Sequence, residues 1–229
     1  MEQTDKIDFQ KALQKLITDK CEKCKVRIKH EDRKWCERCI AISRRGNRVK
    51  PAGVIKDVPH DYIAASIDDF PSLKNDLITY SDSNLYLFGN AGTGKTRAIF
   101  AMLKVALLTG YSAERFEMSS LCSRIRDTYN NPTYETENQI ISSISDLDIL
   151  FLDDLGLSSE VTKFGYEVLY RIIDARIMQN LPTTIASNKT IEDICLIYDE
   201  RIASRLRLFD VIRFKGKDRR KDKLNRKQR

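Results

Sequence analysis

The 229-residue chain has no apolar run near the ~18–20 residues of a membrane-spanning helix, so no membrane partner is expected. Its opening, "MEQTDKIDFQ", lacks the apolar core of a secretory signal. Together these point to a soluble, cytoplasmic protein. In that reducing compartment six cysteines indicate metal or free thiols before disulfides. No internal repeat is present, which argues against a stacked-repeat architecture.

Charge is abundant but segregated. Residues 1–50 hold 15 Lys/Arg against 8 Asp/Glu, and residues 201–229 hold 13 against 3. The middle, 51–200, reverses the balance with 12 against 22. Basic ends around an acidic centre suggest a polyanion contacted at the ends. A solvated tail would explain "KGKDRRKDKLNRKQR" equally well.

Residues 7–18 carry Phe9, Leu13, Leu16 and Ile17 at helical spacing. Two CxxC pairs follow, Cys21 with Cys24 and Cys36 with Cys39, separated by eleven residues. Such knuckles present four thiolates to one tetrahedral Zn²⁺. A module this small buries little core, so zinc is expected to stabilise it directly. His30 is superfluous once four thiolates close the site, and Trp35 reads as packing. Cys122 and Cys195 read as buried thiols. "SRRGNRVKPAG" is basic, lacks apolar periodicity and reads as a linker.

From residue 84 strands and helices alternate. Strands are expected at "NLYLFG", "RFEM" (115–118), "LDILFLDD", "TTIAS" (183–187) and "VIRF". Helices are expected over 95–108, in two pieces within 119–145 broken near "NNPT", over 160–179 and over 190–208. This is an α/β pattern: a parallel sheet with helices on both faces.

"GNAGTGKT" (89–96) fits G-x-x-x-x-G-K-[ST] between a strand and a helix, the context that motif requires. Gly89, Gly92 and Gly94 let the backbone wrap tightly and aim N–H groups at phosphate. Asn90, Ala91, Thr93 and Arg97 complete the candidate cradle. The phosphates then meet the N-terminus of the 95–108 helix, where the dipole favours anions. Lys95 supplies a point charge and Thr96 a hydroxyl for Mg²⁺, which makes Mg²⁺-ATP the expected cofactor. In the empty loop Lys95 is expected to be exposed. Asp153, ending an apolar strand, is the candidate second Mg²⁺ residue. Asp154 is placed to orient or deprotonate the attacking water. Asn188, after "TTIAS", either senses the γ-phosphate or simply forms a turn.

"LYLFGNAGTGKT", "LFLDDLG", "TIASN", "ERIASRL" and "VIRFKGKDRR", in this order, resemble the DnaC/DnaI-type replicative helicase loaders. They also resemble the IstB-type transposition helper ATPases. The resemblance spans about residues 55–220 and implies an AAA+ P-loop ATPase with a central parallel sheet and no full helical lid. The family's D-D-[LI]-G pattern makes Asp154 usual there. Arg220 takes the family's sensor position, with Arg219 as a substitute. Arg124, Arg126 and Tyr129 fall in the region that helps bind single-stranded DNA. "ERIASRL" puts Arg201 and Arg205 on one helix face. The resemblance implies a subunit edge there, hence an Arg205 finger onto a neighbour's nucleotide, with Arg201 in support and self-association through the ATPase domains. The zinc module would engage a DnaB-type replicative helicase, although its basic surface equally suits DNA.

The expected organisation is an N-terminal helix and zinc module (1–45), a linker (46–58), the ATPase domain (59–216) and a basic tail (217–229). The expected function is ATP-dependent loading of the replicative helicase onto single-stranded DNA. The alternatives are a transposition helper and a nucleotide-dependent nucleic-acid adaptor that does not hydrolyse.

Overall fold

A computed structural model describes residues 58–130, 135–156, 162–216 and 218. The chain divides into two units, Met1–Lys50 and Pro51–Arg229, and every described residue belongs to the second. The 7–18 helix, the four cysteines expected to bind zinc, residues 46–57 of the expected linker and Arg220 lie outside the described residues, while Val58, the last linker residue, is buried in the core.

The apolar runs form five strands: β1 Leu85–Phe88, β2 Ala113–Glu117, β3 Ile149–Leu155, β4 Thr183–Ser187 and β5 Asp210–Arg213. They make one sheet in the order β2-β3-β4-β1-β5, and every pairing is parallel. Strand β4 is buried at all five positions, because both faces of the sheet are covered. The helices are α1 Lys74–Leu77, α2 Lys95–Leu108, α3 Met118–Asn130, α4 Glu137–Ser145, α5 Lys163–Met178, α6 Ile191–Ile197 and α7 Glu200–Leu206.

The two-residue period of the strands divides the core. Leu85, Leu87, Ile149 and Phe151 face one way and pack with Ile99 and Met102 of α2 and with Phe70. Tyr86, Leu150, Leu152 and Ile185 face the other way and pack with Ile125, Ile144, Ile172 and Ile202 of the remaining helices. Burying one such side chain is worth roughly 1.5–3 kcal/mol, so these two layers dominate the stability of the fold.

Two elements and one cysteine differ from expectation. Strand β2 begins at Ala113 rather than 115, because its edge position tolerates the exposed Glu114 and the half-buried Arg115. The 190–208 segment is two helices, not one. Tyr198 leaves helical geometry, and the Asp199 carboxylate accepts the backbone N–H groups of Arg201 and Ile202, starting α7 afresh. Cys122 is buried as expected, but Cys195 is partly exposed and its thiol donates to Glu200 Oε2 at 3.0 Å.

Arg176 was invisible in the sequence. It is fully buried, and its guanidinium donates to the carbonyls of Ile144, Ser145, Leu147 and Pro182 and to Thr183 Oγ1 at 2.6–3.2 Å. Its positive charge thus sits on the carbonyl end of α4, where the helix dipole is negative.

Candidate nucleotide site

The site forms where β1, β3 and β4 end. Gly89 follows β1 against the end of β5. A Cβ at Gly89 would lie 2.3 Å from Phe214 O, so no side chain fits there. Gly92 and Gly94 have φ of +78° and +107°, the left-handed region open to glycine at little cost. Helices α4, α5, α6 and α7 each start under a Thr or Asp side chain that takes a backbone N–H. Helix α2 starts at Gly94 with no side-chain cap, the condition that an anion-binding helix terminus requires.

Lys95 corrects one expectation. It is buried at 7 % exposure, and its ammonium donates to Gly89 O at 2.7 Å and Asn90 O at 3.0 Å. The lysine closes its own loop. Thr93 adds a hydroxyl bond to Asn90 O at 2.8 Å. The Arg97 side chain turns away from the cradle, to Asp69 Oδ2 at 2.7 Å and Ala64 O at 3.1 Å. Only its backbone remains for a phosphate. Beyond β5, Asp218 lies against the loop, and a Cβ at Gly92 would meet its Oδ1 at 1.9 Å. A cavity of about 690 Å³ borders the loop at Thr93, with Phe70, Phe88, Arg213 and Lys215 on its walls.

Asp153 is fully buried at the end of β3. Thr96 Oγ1 donates to its Oδ1 at 3.4 Å, which brings the two expected Mg²⁺ residues together. Arg115 of β2, which sequence reasoning missed, pairs with Asp153 Oδ2 at 2.6 Å. Its signal was faint: one arginine in the middle of an edge strand, opposite Phe151 and two residues before the partner of Asp153.

Between β3 and β4 the register slips, Leu152 pairing Ile185 but Leu155 pairing Ser187. The extra residue on β3 is a bulge, which re-aims the side chains beside it. Asp154 sits in that bulge with φ +56°, and its N–H donates to Asp153 Oδ1 at 3.1 Å. Burial, then the negative charges of Asp153 and Glu117, hold its carboxyl above the ordinary aspartate range, against Lys95 and Arg115. Such a carboxylate is a better proton acceptor than a solvated one. Asn188 is exposed one residue past β4, and the β1–β4 register sets it level with Gly89. Its neighbour Ser187 donates to Leu155 O at 2.7 Å.

Arg205 does not stand free. Its Nε donates to Asp174 Oδ1 at 2.8 Å, Nη2 donates to Tyr170 OH at 2.8 Å, and the guanidinium lies 4.3 Å from the Tyr170 ring centroid. Arg201, one turn earlier, is exposed. On α3, Arg124 pairs with Glu135 at 3.1 Å, Arg126 lies 5.1 Å from the Phe164 ring centroid, and the Tyr129 hydroxyl bonds Glu137. Nearby acids thus partly neutralise the expected basic surface. Among the described residues no group of three His, Cys, Asp or Glu could hold a metal, and no helix is long and apolar enough to cross a membrane.

A parallel five-stranded sheet in this order, with a glycine loop running into α2 and a buried Asp on the next-but-one strand, is the layout of a P-loop nucleotide-binding domain. Residues 58–216 match the family of IstB-like ATP binding proteins, and the chain belongs to that family. It is 29 % identical over 130 residues to the replicative helicase loader DnaC of Escherichia coli K12, covering 56 % of this chain and 52 % of that protein. Against the loader DnaI of Bacillus subtilis 168 it is 26 % identical over 122 residues, covering 53 % and 38 %. The chain thus matches about half, or less, of the length of these relatives. The fold is similar to the crystal structure of the DnaC helicase loader, with TM-score 0.60 and 18 % identity over 69 % of this chain and all of that one. It is also similar to AMPPCP-bound DnaA from Aquifex aeolicus, with TM-score 0.59 and 16 % identity over 74 % and 56 %.

Proposed function

We propose that this chain binds and hydrolyses Mg²⁺-ATP and uses that cycle to load a DnaB-type replicative helicase onto single-stranded DNA. The observation that carries the reading is the meeting of Lys95, Thr96 and Asp153 at the uncapped N-terminus of α2. The match to DnaC supports the choice of process. Thr96 and Asp153 would hold Mg²⁺, which supplies charge neutralisation at the β- and γ-phosphates. Lys95 would exchange its two loop carbonyls for phosphate oxygens. Asp154 would orient or deprotonate the attacking water, and Asn188 would sense the γ-phosphate. Arg205, supported by Arg201, would reach the nucleotide of a neighbouring copy, and Arg220 would complete the sensor set. Arg124, Arg126 and Tyr129 would contact single-stranded DNA, and Cys21, Cys24, Cys36 and Cys39 would hold zinc in a module that docks the helicase.

The test is a loading assay with the cognate helicase and circular single-stranded DNA. Helicase should transfer to the circle only with this chain and ATP. Transfer at the same rate without the chain would sink the loader reading. The family also takes its name from IstB, which favours a transposition helper as the second reading. Capture of a transposase rather than a helicase by the tagged full chain would select it. A non-hydrolysing adaptor is separated from both by its lack of ATP turnover with and without DNA. One zinc per chain is expected by elemental analysis. Full zinc retention in a Cys36→Ser, Cys39→Ser double variant would remove the four-cysteine assignment.

A further inference from the structure

A carboxylate as buried as Asp153 needs a neutralising partner. Arg115 provides it: Nη2 at 2.6 Å and Nε at 3.1 Å both donate to Asp153 Oδ2. The guanidinium is held by its strand and by the Phe100 ring, whose centroid is 5.1 Å away. The opposite oxygen, Oδ1, carries the Thr96 hydroxyl and the Asp154 N–H. A resident cation therefore stands on the carboxylate assigned to magnesium. A second carboxylate is within reach. Glu117, two residues along β2 and opposite Asp153 in the register, has Oε2 4.0 Å from Arg115 Nη2. Glu117 is 39 % exposed, while Arg115 is 21 % exposed.

We propose that Arg115 is the counter-ion of Asp153 in the nucleotide-free protein and competes with Mg²⁺ for it, with Glu117 receiving the guanidinium when the metal arrives. Arg115 and Glu117 then set the magnesium concentration at which nucleotide binds. The physical reason is Coulombic. A dication and a guanidinium on one low-dielectric carboxylate repel each other, so one must withdraw. Retreat to Glu117 keeps the guanidinium paired and lowers the cost of metal entry. The proposal rests on the reading of Thr96 and Asp153 as the magnesium residues.

The experiment is a Mg²⁺ titration of fluorescent ADP-analogue binding to the full chain at fixed nucleotide concentration. Arg115→Gln should lower the half-saturating Mg²⁺ concentration by about 3–10-fold, the scale of losing one partly screened competing charge. Glu117→Gln removes the alternative partner and should raise it about 2–3-fold. Arg115→Lys, which keeps the charge, should stay between Arg115→Gln and wild type. A half-saturation at or above wild type in Arg115→Gln, or at or below it in Glu117→Gln, overturns the proposal. Should Arg115→Gln fail to fold, Glu117→Gln and Arg115→Lys decide by the same criteria. Thermal unfolding without nucleotide separates this idea from the nucleotide-site reading. Mg²⁺ alone should raise the unfolding temperature more in Arg115→Gln than in wild type. If wild type binds no nucleotide, the nucleotide-site reading fails, and the competition stands or falls on that temperature difference alone.

Discussion

Lys95 braces its own loop, because its ammonium ties Gly89 O and Asn90 O. Lys95→Ala should therefore lose nucleotide binding and also destabilise the empty protein by about 1–3 kcal/mol, the usual scale for charge-assisted bonds removed from a buried site. Nucleotide titration and thermal unfolding of the same sample check both effects. An unchanged unfolding temperature would mean the loop stands without its lysine. Asp154 is the second informative residue. Its carboxyl titrates above the ordinary 3.8 because burial, Asp153 and Glu117 disfavour its charge. A raised acid costs stability in full above its folded-state pKa, and the cost vanishes as pH falls toward the unfolded value. Asp154→Asn should thus stabilise the empty protein at pH 7, and that gain should shrink toward pH 4. Asparagine tolerates the positive φ, so the backbone need not change. The same variant should keep ATP binding and lose turnover. Wild-type turnover in Asp154→Asn would exclude this residue as the water-orienting group.

Among the elements, α7 carries the proposed contact between copies. It is short, begins on Asp199 and presents Arg201 and Arg205 one turn apart. Within a single chain Arg205 is already occupied by Asp174 and Tyr170 of α5. A finger at Arg205 must release that pair, which is partly exposed and so worth little, about 0–1 kcal/mol. A neighbour's γ-phosphate offers a stronger partner, and arginine fingers elsewhere are worth roughly 10³–10⁵ in rate. Arg205→Ala and Lys95→Ala should each be inactive alone, and mixing them should restore part of the turnover. A mixture that stays inactive although the two variants co-assemble would remove Arg205 from the interface role. Arg201→Ala in the same mixing assay then tests the exposed arginine. The break between α6 and α7 was hidden in the sequence because apolar spacing continues through it. Only the Asp199 carboxylate on two backbone donors marks the restart.

At the scale of the whole molecule, charge segregation is the dominant feature. If the basic ends hold single-stranded DNA, log K should fall linearly with log[salt], with a slope of roughly −0.7 per phosphate neutralised. Deleting residues 217–229 should flatten that slope. An identical slope in the truncated chain would show that the tail only solubilises. The α3 surface should contribute less than its arginine and tyrosine content implies, because Glu135 and Glu137 already engage Arg124 and Tyr129.

Much of the α/β unit was legible without coordinates. The glycine loop, the Asp153 strand and the alternation of strands with helices rest on local rules: glycine at positive φ, apolar runs for buried strands, helical spacing for amphipathic faces. Those rules act within a dozen residues, so the chain itself carries them. The parts decided by tertiary structure bring together residues far apart in sequence. Arg115 meets Asp153 only because β2 and β3 pair. Arg176 finds carbonyls from two other segments. Lys95 is buried because the loop folds back over its own ammonium, and Asp218 lies on Gly92 because β5 ends beside β1. A lone arginine or aspartate has no periodicity to read. Its role follows from the opposite charge or lone pair that folding places within about 3 Å of it.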